Sequence, residues 1–307
     1  MKYDVIAIGE GMVEFNQTSP GQPNYLQGFG GDTSNAVIAA ARAGARSAYV
    51  SAVGDDAFGD LLMHLWQVAG VDTAATAIES GASTGIYFVT HGAQGHTFSY
   101  RRANSAAANM RLNDAQRQAL QQTKWLHYSG ISQAISSNAR EQCAAATAIT
   151  RAAGGKISFD SNLRLKLWSL DDAKQHMIPA IAACDLFLPS LDDVVQLSGL
   201  SDPQAIVRWS HDLGARQVVL KMGEQGVLVS DGATQKHIAP LTVRAIDATG
   251  AGDCFAGNLL ARLALGDDLQ TAARYANAAA ALSVQGFGAV APLPFPQAVN
   301  ALLTIHA

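Results

Sequence analysis

Asp247-Ala248-Thr249-Gly250-Ala251-Gly252-Asp253 runs directly into the apolar helical stretch CFAGNLLARLAL, residues 254–265. Small residues ahead of a helix let successive backbone N–H groups converge on an anion, and the helix N-terminus adds the positive end of its dipole. Gly250, Ala251 and Gly252 therefore read as a phosphate cradle. Asp253 does not belong in a structure that only binds anions, because its carboxylate repels phosphate. It suits a base that takes a proton from an attacking hydroxyl during in-line transfer. Helix capping by aspartate accounts for the same residue, and spacing alone admits both readings.

Upstream, Lys221-Met222-Gly223-Glu224-Gln225-Gly226 follows an apolar strand and again offers glycines where a backbone can approach a ligand; a tight hairpin turn is the alternative. No GxxxxGK[ST] occurs in the chain, which excludes a P-loop. Gly9-Glu10-Gly11 is not a dinucleotide fingerprint, since Glu14 stands where that pattern needs Gly or Ala.

Around these motifs, short β-branched runs at 5–8, 48–53, 124–128, 156–160, 186–188 and 217–221 alternate with stretches of helical apolar spacing at 35–43, 59–69, 138–153 and 171–182. That alternation predicts βαβ units, a mainly parallel sheet and a layered α/β/α sandwich. Residues 15–29 and 84–100 break the rhythm. TGIYFVTHGAQGHTFSY, residues 84–100, reads as two alternating strands joined by a glycine-containing turn. A small β-sheet lid made of insertions at about 12–30 and 84–108 in one domain spanning 1–307 is the expectation. An exposed strand edge in it, with Ile86 and Phe88, would invite pairing with a second subunit, so a homo-oligomer through the lid is expected.

The 307 residues carry a net charge of −4 with no block of like charges, which leaves no electrostatic footprint for nucleic acid or an anionic membrane. With 49% hydrophobic and 15% charged residues the chain reads as a well-packed globular enzyme. The start lacks the apolar run of a signal peptide and no stretch approaches a membrane span, so a cytoplasmic protein is expected. Cys143, Cys184 and Cys254 lack the close pairing of a zinc or redox motif, and His91 and His96 lack partners at metal spacing.

Taken together, the chain resembles the ribokinase-like (PfkB) carbohydrate kinases over nearly its whole length. DATGAGD is similar to that family's C-terminal signature, and Gly30-Gly31-Asp32-Thr33-Ser34-Asn35 to its N-terminal one. The resemblance implies a Rossmann-like three-layer sandwich with a β lid, ATP with Mg2+ as donor, a monovalent cation such as K+ as a further candidate ion, Asp253 as base, and Gly250, Ala251 and Gly252 as the anion hole. Within the family, Gly9 to Glu14, the GGDTSN form of the first signature and residues 98–106 (FSYRRANSA) look most like 2-keto-3-deoxygluconate kinases, whereas fructokinases more often carry a small residue in place of Asp32. That likeness implies that Gly31, Asn35, Tyr87, Tyr100, Arg102 and Arg164 touch a sugar acid. It also implies that Asn162, Ser190, Lys221, Gly223, Gly226, Gly250, Gly252 and Asn277 line the ATP site.

The chain departs from the pattern at three places. Arg101 stands where the group often has a second tyrosine, Asn104 where it often has glycine, and Ser190-Leu191-Asp192-Asp193 replaces an Asn-x-x-Glu motif. A 2-keto-3-deoxy sugar acid has a carboxylate at one end and the reacting hydroxyl at the other, so its site needs cations far from the base. Guanidinium groups suit that carboxylate through paired hydrogen bonds. The alternatives are a fructokinase or other hexose kinase with the same catalytic parts, and a catalytically silent sugar-acid sensor.

Overall fold

The computed structural model describes residues 1–92 and 95–306. A central sheet runs in the order Gln235–Ile238, Val227–Ser230, Gln217–Lys221, Leu186–Leu188, Lys156–Asp160, Thr123–Ser129, Tyr3–Ile8, Ser47–Gly54, Val71–Asp72, with Thr76–Glu79 also paired to Ser47–Gly54. All pairings from Gln217–Lys221 to Val71–Asp72 are parallel, and only the last two strands at the other edge are antiparallel. Strands covered on both faces read as apolar runs, and Tyr3–Ile8 and Ser47–Gly54 are buried at every position.

Alternation along the strands divides the core. Ile6, Ile8, Leu126 and Tyr128 face one helical layer, while Val5, Ala7 and Trp125 face the other. The first layer includes Ser137–Ala152 and Leu170–Ala183; the second includes Asp32–Arg42, Ala251–Leu265 and Leu269–Ser283. Asp32–Arg42 and Ala251–Leu265 approach closely because Gly257 lacks a side chain: a Cβ there would stand 2.7 Å from Ala39 Cβ and 2.9 Å from Ala40 N. This contact brings the N-terminal ends of both helices to the same place.

The second sheet has four strands in the order Tyr25–Gly30, Met12–Gln17, Ile86–Gly92, Gly95–Arg101. Residues 93–94, where the glycine-containing turn was expected, lie outside the described residues. The strands end at Arg101, and residues 106–109 form a short helix. Ile86 and Phe88, expected on an exposed edge, lie on an inner strand. Ile86 packs on the core, and the Phe88 ring stacks on Phe15 with centroids 5.3 Å apart. The outer strands instead expose Tyr25, Leu26 and Tyr100. Among the described residues no helix is long and apolar enough to cross a membrane, and all three cysteines are buried free thiols.

Candidate active site

The carboxyl ends of parallel strands open on one side of a sheet, which is where such folds place their ligands. Ser129, Asp160 and Lys221 each end a central strand. Facing them are the N-terminal turns of Asp32–Arg42 and Ala251–Leu265.

Two positive φ angles shape these turns. Gly31 precedes its helix at φ 110°, and a Cβ there would overlap the Glu10 carbonyl. Gly250 has φ 74° and lies against Ala289, with a Cβ position 2.9 Å from Ala289 Cβ. Only glycine adopts both conformations without strain. At Gly252, by contrast, the nearest atom to a Cβ would be Lys221 Nζ at 3.5 Å. The first turn of this helix is therefore open toward an ammonium group, an arrangement that fits a phosphate.

The site residues form a closed ring of contacts. Asn35 Nδ2 donates to Asp253 Oδ2 at 2.8 Å. One turn earlier on the same helix, Asp32 Oδ2 accepts from Asn162 Nδ2 at 2.9 Å and from Ser129 Oγ. Asn162 N donates to Asp160 Oδ1 at 3.2 Å, and Asp160 Oδ2 is bound by Lys221 Nζ. Lys221 then faces Gly252, the neighbour of Asp253. Asn162 holds φ 27°, a conformation costing of order 1–3 kcal/mol that persists only where surrounding contacts impose it.

Asp253 is half-buried, with its carboxyl group held by Asn35. Burial raises its pKa well above the ordinary carboxylate range. Asp32 and Asp160 push the same way, opposed by the Asn35 hydrogen bond and the Lys221 charge. A carboxylate so placed is a stronger base than one in water.

On the second sheet, Glu14, Tyr87 and Tyr100 lie in register on one face. The Tyr87 hydroxyl donates to Glu14 Oε2, and the Tyr87 and Tyr100 rings stack at 5.8 Å. Burial, then the neighbouring Glu14 charge, pushes the Tyr87 pKa far up, and the Asp253 charge adds to this. Arg102 Cζ lies 5.8 Å from the Tyr100 ring centre. Its Nη2 meets Glu10 Oε2 in a buried ion pair, the side chains 11% and 2% exposed. Beyond this ion pair, Arg102 Nε and Nη2 are buried donors that make no hydrogen bond among the described residues. Glu10 is held from its other side by Ser105 Oγ.

Other expected residues lie at varying distances from this ring. Arg164 is exposed, and its Nη1 donates to the Leu163 carbonyl at 2.8 Å. Ser190 sits beside Lys221, with its N–H donating to Ser161 Oγ at 3.1 Å. Asp193, at the Glu position of the altered motif, accepts from Ser161 Oγ at 2.8 Å and Leu163 N at 3.1 Å, bracing the segment that carries Asn162. Gly223 opens the turn before Gly226, where a Cβ would overlap the Ile238 carbonyl, so Gly226 answers to packing within the sheet. Asn277 is half-buried and donates to the Ala239 carbonyl at 2.9 Å. Asn104, the residue in place of a glycine, has φ 61°, and asparagine tolerates that left-handed conformation better than other residues with a side chain. Sequence reasoning passed over Asp160, Glu10 and Glu14. A carboxylate at the end of an apolar strand was the available signal for Asp160.

A family model described as pfkB family carbohydrate kinase matches residues 2–296. The chain is 32% identical to the 2-dehydro-3-deoxygluconokinase of Thermoproteus tenax, covering 97% of this chain and 94% of that protein. An Escherichia coli protein described as a ribokinase II, solved with ATP and Mg2+, superposes with a TM-score of 0.90 at 28% identity, over 98% of this chain and 99% of that one. A Vibrio cholerae fructokinase solved with fructose, ADP and calcium gives 0.86 at 28% identity, over 97% and 98%. The three-layer sandwich with its second small sheet, the two glycine-rich turns and the match over almost the whole length agree: the chain belongs to the pfkB family of carbohydrate kinases.

Proposed function

We propose that this protein phosphorylates the terminal hydroxyl of 2-keto-3-deoxygluconate with ATP, giving 2-keto-3-deoxy-6-phosphogluconate. Bound ATP with its magnesium supplies an electrophilic γ-phosphoryl group and an ADP leaving group. Asp253 takes the hydroxyl proton as the substrate oxygen bonds to phosphorus and the β–γ bridging P–O bond breaks. The N–H groups around Gly250, Ala251 and Gly252, together with Lys221, fit the charge that the phosphoryl oxygens carry. The second sheet acts as a lid that keeps water from the γ-phosphate, and its exposed outer strands are the surface for self-association. ATP and a small sugar acid as partners fit a cytoplasmic enzyme, with K+ as a candidate activating ion.

The observation carrying the sugar-acid reading is Arg102: a buried guanidinium with donors that make no hydrogen bond among the described residues, reached from Asp253 through Tyr87 and Tyr100. Exposed Arg164 is a second cation for the same carboxylate. A neutral ketose substrate is favoured by a different observation, namely that Glu10 already balances Arg102 while Glu14 and Asp32 add carboxylates at the sugar end. A comparison of kcat/KM for 2-keto-3-deoxygluconate and fructose in wild type, Arg102→Ala and Arg164→Ala separates the two. Loss of a charged hydrogen bond contributes roughly 1.5–3 kcal/mol, so each variant should lose about 10- to 150-fold on the acid and far less on fructose. Better use of fructose by the wild type, or equal losses on both substrates, would put the ketose reading in its place.

A further inference from the structure

We propose that Asp160 is a positioning residue that holds the Lys221 ammonium on the phosphate side of the site and keeps it off the Asp253 carboxylate. Asp160 and Lys221 end nearby parallel strands and bind each other through Oδ2 and Nζ, with side chains 7% and 13% exposed. The other Asp160 oxygen is fixed by Asn162 N at 3.2 Å. From this anchor Lys221 Nζ stands 3.5 Å from a Cβ position at Gly252, one residue from Asp253.

Two carboxylates thus lie within reach of one ammonium on a flexible four-carbon stem. Pairing with Asp253 would lower the pKa of the base and withdraw the cation from the anion cradle. Pairing with Asp160 avoids both. The groups facing Asp253 are Asn35 and Asp32 from the helix Asp32–Arg42, Asp160 and Lys221 from the strand ends, and Tyr87 from the second sheet; Asp193 faces Asp160 from the helix Leu191–Ser198. Of these, Lys221 alone is a cation, so its partner decides the balance at the base. Direct titration judges the ion pair separately from the proposed role of Asp253 in catalysis.

The test is a 13C carboxyl NMR titration of Asp253 in the ligand-free protein, assigned with Asp253→Asn. In Asp160→Asn, which keeps the side-chain volume and an acceptor for Asn162 N, the freed ammonium should move the Asp253 midpoint down by about one to three pH units. The Michaelis constant for ATP should rise as well. Adding Lys221→Met to Asp160→Asn should return the midpoint toward wild type. Lys221→Met alone, which does not depend on how Asp160→Asn folds, removes a cation that lowers Asp253 only from a distance and should raise its midpoint by less than about one pH unit. An upward jump of a unit or more in Lys221→Met would mean that Lys221 already pairs with Asp253, and would overturn the proposal. An unmoved midpoint in folded Asp160→Asn would do the same. If Asp253→Asn retains near wild-type turnover, the base reading fails, while the titrations still decide the ion pair.

Discussion

The side-chain amide of Asn35 donates to Oδ2 of Asp253 at 2.8 Å, joining residues 218 positions apart in the chain. The bond stabilises the charged carboxylate against the upward pull of burial and of Asp32 and Asp160. A base works only when deprotonated, so kcat/KM should rise with pH along a limb lying above the ordinary carboxylate value of about 4. Removing the donor in Asn35→Ala raises the Asp253 pKa further, and that limb should move to higher pH. A pH profile of both proteins checks the sign; a limb moving to lower pH would contradict this account of the contact.

Asp253→Asn keeps the shape and removes the base. Turnover should fall by about 10²- to 10⁴-fold, the usual worth of a positioned general base, with ATP still bound. Coupled-assay kinetics and calorimetric titration measure the two separately. Near wild-type turnover would leave Asp253 as no more than a first-turn acidic residue that favours the helix dipole, since Gly250 holds the N-cap and no side chain caps this helix.

The glycines of the candidate phosphate turn should separate folding from function. Gly250→Ala forces a side chain into a left-handed conformation and toward Ala289 Cβ at 2.9 Å, which should cost about 1–2 kcal/mol in a denaturant melt. Gly252→Ala meets nothing nearer than Lys221 Nζ at 3.5 Å and should melt like wild type. Its methyl group nevertheless stands where the anion must approach, so kcat/KM for ATP should drop by about tenfold or more. The bulkier Gly252→Val should lose still more. An active Gly252→Val protein would remove the cradle from this turn.

Arginines expected to act as a pair should differ in stability. Arg102→Ala leaves Glu10 buried and uncompensated, a change worth about 3–5 kcal/mol, whereas exposed Arg164→Ala should stay within about 0.5 kcal/mol of wild type. Thermal melting of both variants, with Glu10→Gln/Arg102→Met as a rescue, reads this directly. Equal melting of Arg102→Ala and wild type would show that the ion pair carries no stability.

Tyr87 spends its hydroxyl on Glu14. In Tyr87→Phe the buried Glu14 keeps, among the described residues, only the Asn16 amide at 3.4 Å, and stability should fall by roughly 1–3 kcal/mol. The Michaelis constant for the sugar should change little if ring stacking is the part of Tyr87 that serves the site. A large rise in that constant without a change in melting would instead place the hydroxyl on the substrate.

Local chemistry made much of this protein legible from sequence. Apolar runs at strand length, alternating with helical spacing, led to the parallel sandwich because each strand must be covered on both faces. The small residues ahead of CFAGNLLARLAL marked a candidate anion turn, since close backbone approach excludes side chains, and Asp253 stood out as a carboxylate beside it. Neighbouring positions in the chain hold all of this information.

The partners of the charged side chains were decided only by the tertiary structure. Nothing local tells that Lys221 meets Asp160, that Arg102 meets Glu10, or that Asn162 meets Asp32 rather than facing solvent. Hydrogen bonds form only within about 3 Å and weaken steeply with angle, so they depend on how distant segments pack. Here that packing rests on features such as Gly257, which lets two helices approach until Asn35 reaches Asp253. The residue types of the candidate site were thus legible in the chain, while the electrostatic balance around Asp253 arose from strands and helices brought together by the fold.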